Sequence, residues 1–272
     1  FDNIDHSKMM LAIEKHVPEK WARLYIARWL ASPVMTKSGS LVLNRGKGTP
    51  QGGVISPLLA NLFLHYGFDQ WLKRTDNTVA FTRYADDVIV NCKSQKHAEQ
   101  ILEAIKNRMQ RIGLELHPEK TKIVYCKDYR RKGTYPQVKF DFLGYSYQPR
   151  TSKSNRSKGI YLGYDCGISI SSRKRIADKL GELKVERMTS NSIVGVATLI
   201  NPLIRGWINY YGKFRRSLLH KVFKLLNNRL VRWARKRYKR YKTSINRAYK
   251  WFERVKEQYP SLFYHWQMGY VW

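Results

Sequence analysis

The sequence predicts an α+β fold for residues 1–150 and an all-helical fold for residues 151–272. In the first part, segments whose apolar residues recur at helical spacing alternate with short apolar segments that are typical of strands. In the second part, helical spacing is nearly continuous. The polar segment between them, TSKSNRSKG at 151–159, indicates a domain boundary or a flexible insertion.

The composition limits the class of protein and of partner. With 272 residues, 43% of them hydrophobic, the chain is long enough for two domains with sizeable cores. Lys and Arg number 51 against 20 Asp and Glu, so the net charge is +31. Such a charge favours a polyanionic partner, with nucleic acid ahead of an anionic membrane surface. No apolar run reaches the roughly 20 residues of a spanning helix, so no membrane partner is expected.

The cysteines and the charge distribution narrow the class further. Cys92, Cys126 and Cys166 lie far apart along the chain and give neither a zinc-site spacing nor a disulfide framework, which suits a reducing compartment. Residues 187–252 contain no Asp or Glu. A solvated helical surface normally mixes both signs of charge, so this region favours contact with a polyanion.

Four helices are predicted in the first part from helical spacing. They span residues 6–16, 21–30, 58–72 and 98–113. Ser56 and Pro57 are predicted to start the third helix, as N-cap and first-turn proline, and Gly113 to end the fourth. Residues 122–126 and 138–147 are rich in β-branched and aromatic side chains and are predicted to be strands.

The second part predicts a helical bundle with a basic outer face. Apolar spacing predicts a helix around residues 176–183, and Asn201 with Pro202 is predicted to open another that ends at Gly212. A third helix has an apolar stripe opposite a basic face. The stripe comprises Leu219, Val222, Phe223, Leu226, Leu230 and Trp233, and the basic face Lys221, Lys224, Arg232, Arg235, Lys236 and Lys239.

The segment RYADDVIV, residues 83–90, sets two carboxylates, Asp86 and Asp87, among apolar residues typical of a buried strand or tight hairpin. A buried carboxylate pair must be protonated, paired or bound to a metal ion. Arg83 alone cannot neutralise both acids, so a divalent cation is the simplest partner. The alternative is a solvated turn, which an adjacent Asp pair forms more often when no other motif accompanies it.

Four motifs of the first part, in this order, together resemble the palm of reverse transcriptases. They are GTPQGGVISPLLANLFL (48–64), RYADD (83–87), GLELHPEKTK (113–122) and FDFLGYSY (140–147). The PQGGxxSPLLAN form and a basic tail containing NPLIRGWINYYGKF (201–214) resemble the reverse transcriptase/maturase encoded by group II introns. The resemblance covers essentially the whole chain.

The resemblance implies a right-hand polymerase architecture. Residues 1–150 are expected to form a palm whose fingers and first strand are missing, which makes the chain an N-terminally truncated fragment. Residues 151–272 are expected to form an all-α thumb followed by the maturase-specific region.

The resemblance also implies two Mg²⁺ ions as cofactors for nucleotidyl transfer. Asp86 is expected to ligate metal directly, and Asp87 to support ligation or to hold the primer end. In the family a further metal-binding Asp precedes the Phe that Phe1 resembles by five residues, so this Asp is expected upstream of Phe1. Asp2 and Asp5 are then expected to cap or support the first helix. Phe1 resembles the steric gate against a ribose 2′-OH; the alternative is an ordinary core phenylalanine.

By the same resemblance, the incoming deoxynucleoside triphosphate is expected to contact Gln51, Gly52 and Tyr84. Glycines in the PQGG segment permit close approach of the backbone to a nucleotide. Ser56 and Pro57 are expected to open the helix that supports the template. Without the other motifs, PQGG would be read as an ordinary loop.

Two further sites follow from the resemblance. Lys120 is expected near the leaving pyrophosphate as a general acid, with Lys122 as the second choice and an ordinary surface lysine as an equal alternative. The segment FLGY resembles the hairpin that grips the primer, and its alternative is a plain β-hairpin with a buried aromatic edge. Its residues are Phe142, Leu143, Gly144 and Tyr145.

The basic tail RLVRWARKRYKRYK, residues 229–242, interleaves cations with Trp and Tyr. Such a pattern suits neutralisation of a phosphate backbone together with stacking on exposed bases. The alternative is a solvated helix face. The residues expected to contact nucleic acid are Arg232, Arg235, Lys236 and Lys239.

These expectations predict an RNA-directed DNA polymerase that makes cDNA in retrohoming and binds its intron RNA to assist splicing. Its partners are expected to be group II intron RNA, an RNA template, a DNA primer and deoxynucleoside triphosphates. A homodimer is a further alternative to a monomer. The alternative is an RNA-binding maturase or an inactive remnant without polymerase activity. The expected location is the bacterial cytoplasm, or an organelle in a eukaryote.

Overall fold

The computed structural model describes residues 3–35, 39, 41–42, 46–49, 53–153 and 159–271. The chain divides into two compact units, residues 1–123 and residues 124–272, called here the N-terminal and C-terminal units. This division comes before the predicted boundary at residue 150, which falls inside a strand of the C-terminal unit. Each unit has its own core of buried apolar side chains.

The N-terminal unit combines helices with two antiparallel strand pairs, so the mixed α/β prediction for the first part is confirmed. Its elements are α1 His6–Glu14, α2 Lys20–Ala31, β1 Val34–Met35, β2 Leu41–Val42, α3 Ser56–Leu64, a π-helical turn His65–Asp69, α4 Gln70–Thr75, β3 Ala80–Tyr84, β4 Asp87–Asn91 and α5 Gln95–Ile112. Strand β1 pairs with β2, and β3 pairs with β4.

The C-terminal unit joins a three-stranded antiparallel sheet to a helical bundle. Its strands are β5 Phe140–Phe142, β6 Tyr145–Lys153 and β7 Ile160–Ile168, in the order β5-β6-β7. Its helices are α6 Ile170–Glu182, α7 Ile193–Tyr211, α8 His220–Arg237, α9 Ile245–Gln258 and α10 Tyr264–Gln267. Short 3₁₀ turns lie at Val185–Arg187, Arg216–Leu219 and Lys239–Tyr241.

Local capping chemistry sets several of the predicted helix ends. The Asp5 carboxylate accepts a hydrogen bond from the Lys8 backbone N–H, 3.0 Å away, and this bond lowers the pKa of Asp5. The capping role expected for Asp5 is therefore confirmed. Ser94 caps α5, and Gly113 ends it in the left-handed region with φ of +82°.

Three sequence predictions in the first and second parts are wrong in position. Ser56 is the first helical residue rather than the N-cap, which is Ile55. Residues 122–126 form no strand, because only Tyr125 finds a backbone partner, the carbonyl of Gln137. Strand β7 contradicts the expectation of a nearly all-helical second part, and the first residues of the polar segment 151–159, Thr151–Lys153, are paired with it as the end of β6.

Helix α7 begins earlier than predicted and contains Pro202 instead of starting there. Ser192 caps it by accepting from the Gly195 N–H at 3.1 Å. Its buried stripe continues on both sides of the proline, through Ile200 and Ile204. Burial of this stripe offsets the roughly 3 kcal/mol that an internal proline costs.

The core of the C-terminal unit is formed around α8, whose predicted apolar stripe is confirmed. All six stripe residues are buried, and Trp233 donates its indole N–H to the Met188 carbonyl at 2.8 Å. The Asn201 side chain ties α7 to residues 262–264, since it donates to the Leu262 carbonyl and accepts from the Tyr264 N–H, both at 2.9 Å. Within the described part of the chain, no helix is long and apolar enough to span a membrane.

A buried polar cluster joins α8 to α10. The Asn227 side-chain oxygen accepts from the Trp266 indole N–H at 3.0 Å and from His265 Nε2 at 2.8 Å. His265 is fully buried and stacks on Phe223, with ring centroids 5.3 Å apart. Burial lowers the pKa of His265 to about 3, so the native state holds it neutral.

The buried histidine predicts a loss of stability in mild acid. An unfolded histidine has a pKa of about 6.5, so stability is present above that pH and is lost as the pH falls towards the folded pKa. Between pH 6 and 4, His265 is expected to steepen the fall in unfolding free energy by up to ~1.4 kcal/mol per pH unit. Urea denaturation of the protein and of His265→Gln across this range measures the difference, and equal slopes would contradict the expectation.

Candidate active site and nucleic-acid interface

The segment with the paired carboxylates is a tight β-hairpin, as predicted. Strands β3 and β4 pair from Ala80 with Asn91 to Tyr84 with Asp87, so Ala85 and Asp86 alone form the turn. Ala85 has φ of +53°, in the left-handed region that favours glycine. Because an alanine is strained there, contacts around the turn must hold it.

The Arg83 guanidinium supplies those contacts. It donates to the Ala85 carbonyl at 3.0 Å and to the Asn61 side-chain oxygen of α3 at 2.8 Å. Its other edge forms a bidentate pair with Asp69, through bonds of 2.7 and 2.6 Å. The two charged side chains are only 11% and 15% exposed. One guanidinium thus joins the turn to α3 and to the π-helical turn.

This pairing leaves Asp86 and Asp87 without a counter-ion, since Arg83 is engaged by Asp69. Both residues are exposed at the end of the hairpin. Among the described residues, neither carboxylate has an ion pair or a side-chain hydrogen bond. The expectation that the pair lies in a buried segment is therefore wrong. The apolar flanks are buried away from the turn, fully at Val79 and partly at Phe81 and Val90.

The hairpin fits a partial magnesium site. Adjacent carboxylates supply the hard oxygen ligands that Mg²⁺ prefers, and Mg²⁺ in polymerase-type sites is held by one or two carboxylates together with substrate phosphates. The described residues contain no group of three or more His, Cys, Asp or Glu that could hold a metal ion alone. The site residues that fall outside the described residues are Phe1, Asp2, Gln51 and Gly52.

The other predicted site residues of the N-terminal unit take different positions. Tyr84 is 63% exposed and sits directly across the strand pair from Asp87, so the hairpin brings these two together. Pro57 is exposed at the start of α3, whereas Ser56 is only 3% exposed. Lys120 lies exposed in the turn that follows α5, and no contact among the described residues links it to the hairpin.

The FLGY segment forms a second tight hairpin, in the C-terminal unit. Leu143 and Gly144 form its turn, with φ of +49° and +80°. The Tyr210 hydroxyl donates to the Leu143 carbonyl at 2.8 Å, and the Ser169 N–H donates to the Gly144 carbonyl at 2.9 Å. A Cβ on Gly144 would come within 2.9 Å of the Tyr211 hydroxyl oxygen, so only glycine fits.

Tyr145 lies inside the unit rather than on its surface. Its hydroxyl donates to the Tyr210 carbonyl, and its ring lies among those of Tyr210, Tyr211 and Phe214. Burial raises the pKa of Tyr145 to about 12. The preceding Phe142 and Leu143 are half-buried, so the exposed part of this hairpin is small.

Three of the predicted cations of the tail lie on the outer face of α8, and Lys239 follows the end of this helix, in the 3₁₀ turn Lys239–Tyr241. Arg232, Lys236 and Lys239 are exposed. Arg235 is half-buried and donates to the Lys242 carbonyl at 3.0 Å. Nearby, the Arg240 guanidinium lies over the rings of Tyr241 and Tyr238, at 4.7 and 5.9 Å. Because Tyr241 is buried and Tyr238 is half-buried, this surface offers mainly cations, which suit contact with a phosphate backbone.

Sequence reasoning missed the residues that position the hairpin. The sequence indicates Arg83 only as an incomplete neutraliser of Asp86 and Asp87. Its real partners, Asp69 and Asn61, lie 14 and 22 residues away along the chain. No local pattern marks them, because each belongs to a helical segment whose spacing reports only its buried face.

Two family models match this chain. The one described as "Reverse transcriptase (RNA-dependent DNA polymerase)" matches residues 1–147. The one described as "Group II intron, maturase-specific domain" matches residues 173–252.

Curated relatives agree with these matches. Over 78% of its length the chain is 24% identical to "Group II intron-encoded protein LtrA" of Lactococcus lactis subsp. cremoris. It is 26% identical, also over 78%, to the "Uncharacterized 91 kDa protein in cob intron" of Schizosaccharomyces pombe. It is 29% identical to "Protein YkfC" of Escherichia coli K12 over 47% of its length. The alignments cover 47%, 33% and 42% of these relatives, so the chain spans less than half of each.

The contacts of Arg83 predict a stability effect. Arg83→Met removes the bidentate partner of Asp69 and leaves it only His65, whose Nδ1 lies 3.6 Å away, so it is expected to lower the unfolding free energy by about 2–4 kcal/mol. Asp69→Asn is expected to cost a similar amount, and the double variant less than the sum of the two. Urea denaturation measures all three, with Arg74→Met, an exposed cation of α4, expected to change stability by less than ~0.5 kcal/mol. Strict additivity would contradict the pairing.

Proposed function

Since the chain belongs to the reverse transcriptase (RNA-dependent DNA polymerase) family, we propose that the protein copies RNA into DNA with the Asp86–Asp87 hairpin at its catalytic centre. One observation carries this proposal: two exposed carboxylates, which have no ion pair among the described residues, are held at a strained turn. Two adjacent carboxylates attract a divalent cation, and their oxygens are the ligands that Mg²⁺ prefers.

The residues of the hairpin take separate roles in this proposal. Asp86 would ligate Mg²⁺, and Asp87 would support ligation from the start of β4. Bound Mg²⁺ supplies Lewis-acid stabilisation of the attacking 3′ oxygen and of the pyrophosphate leaving group. Arg83 fixes the turn, so that the carboxylates need no reorganisation when the cation arrives. The exposed Tyr84 ring faces the nucleotide, and Lys120 donates a proton to the pyrophosphate.

A second role rests on a different observation. Exposed cations cover the outer face of α8, within the residues that match the maturase-specific domain. We propose that this face binds group II intron RNA and assists splicing, since a protein that binds one RNA conformation more tightly than others shifts the RNA towards it. Retrohoming would use both roles, with intron RNA as template and a DNA strand as primer. We further propose, from the sequence alone, a cytoplasmic or organellar location and a homodimer.

The first test is primer extension on an RNA template with magnesium and deoxynucleoside triphosphates. Both the chain as printed and a form extended upstream towards the length of its relatives are assayed, each with Asp86→Asn. Removal of a metal ligand is expected to reduce extension by on the order of 100-fold or more. The matched control is Glu103→Gln, an exposed carboxylate of α5, which is expected to leave extension unchanged.

The outcomes separate the two proposed roles. Extension that survives Asp86→Asn would remove the hairpin from the catalytic centre. Failure of both forms to extend, with retained binding of structured RNA, would overturn the polymerase role and leave the RNA-binding role. Loss of both activities would overturn the whole assignment.

The role of α8 predicts a change in salt dependence. Replacement of Arg232, Lys236 and Lys239 by Gln is expected to reduce the slope of log affinity for intron RNA against log salt by about 2–3, because each lost phosphate contact reduces it by about one. The control replaces three exposed lysines of the N-terminal unit, Lys93, Lys96 and Lys106. Filter binding from 50 to 300 mM salt measures the slopes, and equal slopes for both triple variants would contradict the role.

A further inference from the structure

A loop that none of the four motifs includes is built as a fixed structure at the start of the C-terminal unit. Residues 125–137, YCKDYRRKGTYPQ, close on themselves through the bond from the Tyr125 N–H to the Gln137 carbonyl, 2.8 Å long. Inside this 125–137 loop, Tyr125 and Tyr135 lie 4.4 Å apart between ring centroids, and the Tyr125 hydroxyl accepts from the Gly133 N–H at 3.2 Å. A Cβ on Gly133 would come within 2.8 Å of the Tyr135 ring.

The loop is also attached to the sheet beside it. The Tyr129 N–H donates to the Leu162 carbonyl of β7 at 2.8 Å, which uses one of the backbone acceptors on this edge strand. The contact sets the Tyr129 ring against Tyr161, edge to face, with centroids 6.1 Å apart. Both rings remain open to solvent, at 57% and 42% exposure. Packing in a buried core therefore does not explain the presence of Tyr129 and Tyr161 at this position.

The cations of the loop are exposed and exceed its acids, although Arg130 donates to the Tyr129 hydroxyl and Arg131 to the Cys126 carbonyl, both at 2.7 Å. Arg130, Arg131 and Lys132 are consecutive and exposed, and Lys127 is half-buried. The one acid of the loop is Asp128, whose carboxylate oxygen accepts from the backbone N–H groups of Arg130 and Arg131 at 2.9 and 3.1 Å. Asp128 therefore stabilises the turn. Among the described residues it forms no ion pair with these cations. The Arg130 guanidinium lies 5.1 Å from the centre of the Tyr129 ring.

We propose that the 125–137 loop and Tyr161 form a binding site for single-stranded nucleic acid. Arg130, Arg131 and Lys132 contact its phosphates, and the exposed faces of Tyr129 and Tyr161 stack on unpaired bases. The fixed backbone of the loop lowers the entropy cost of binding, because like-charged neighbours are already held side by side. A duplex would meet the same cations but would offer no base faces to the rings. The site shares no residue with the carboxylate hairpin or with α8, and the proposal does not depend on the proposed polymerase activity.

The test measures binding to labelled 12-nucleotide oligouridine and to a duplex of the same length by fluorescence anisotropy. All proteins carry Asp86→Asn, and no nucleotides or magnesium are added, so polymerase activity has no influence on the result. The triple variant Arg130→Gln, Arg131→Gln, Lys132→Gln is expected to reduce the salt slope for both ligands by about 2–3. The Lys93, Lys96 and Lys106 triple variant serves as the control of equal charge and is expected to change neither slope.

The aromatic part of the site has its own variants. Tyr129→Ala is expected to weaken binding of the single strand roughly ten-fold and to leave duplex binding unchanged, because base stacking is lost. Tyr129→Phe keeps the ring and is expected to bind like the parent. Thermal unfolding confirms that each variant folds, and photo-crosslinking to an oligomer with 5-iodouridine should mark Tyr129 or Tyr161. Equal binding by the loop and control triple variants, or crosslinks confined to other regions, would overturn the proposal.

Discussion

The pairing of Arg83 with Asp69 is the interaction on which the candidate active site depends. The guanidinium has five donors, and the structure uses them on three different segments of chain: the hairpin turn, α3 and the π-helical turn. Because one edge is neutralised by Asp69, the cation cannot collapse onto the carboxylates next to it in sequence. The same group therefore holds the turn in its strained conformation and keeps Asp86 and Asp87 open to an external cation.

The two tight hairpins follow a common physical rule. Each reverses the chain in two residues, each needs at least one residue with positive φ, and each is fixed by a side chain that reaches the turn carbonyl, Arg83 in one and Tyr210 in the other. Alanine and leucine occupy positions where glycine would be easier, so the surrounding contacts supply what local preference does not. In both hairpins the turn is fixed by contacts with distant residues, through Asp69 and Asn61 in one and Tyr210 in the other. The sequence motif itself shows only the local pattern.

Sequence reasoning succeeded where the signal is local. The cap at Asp5, the stop at Gly113 and the apolar stripe of α8 each report their structure within a few residues. It failed where long-range pairing decides: β7 contains two glycines and a weak alternation, and it becomes a strand through its nine-residue register with β6. The contacts of Arg83 with Asp69 and Asn61 were not predicted for the same reason. Palm, thumb and the individual roles of the site residues stay predictions, since they concern ligands as much as fold.

The link between Asn201 and residues 262–264 has a consequence for how the C-terminal unit is made. Phe263, Trp266 and Tyr270 belong to the buried core, yet they are synthesised some sixty residues after Asn201. During translation, the apolar faces of α7 and α8 must therefore remain uncovered until these late residues leave the ribosome. A highly basic nascent chain with exposed apolar helices is prone to aggregation and to premature contact with ribosomal RNA. The order of synthesis therefore delays completion of this core until residues 262–270 have been added.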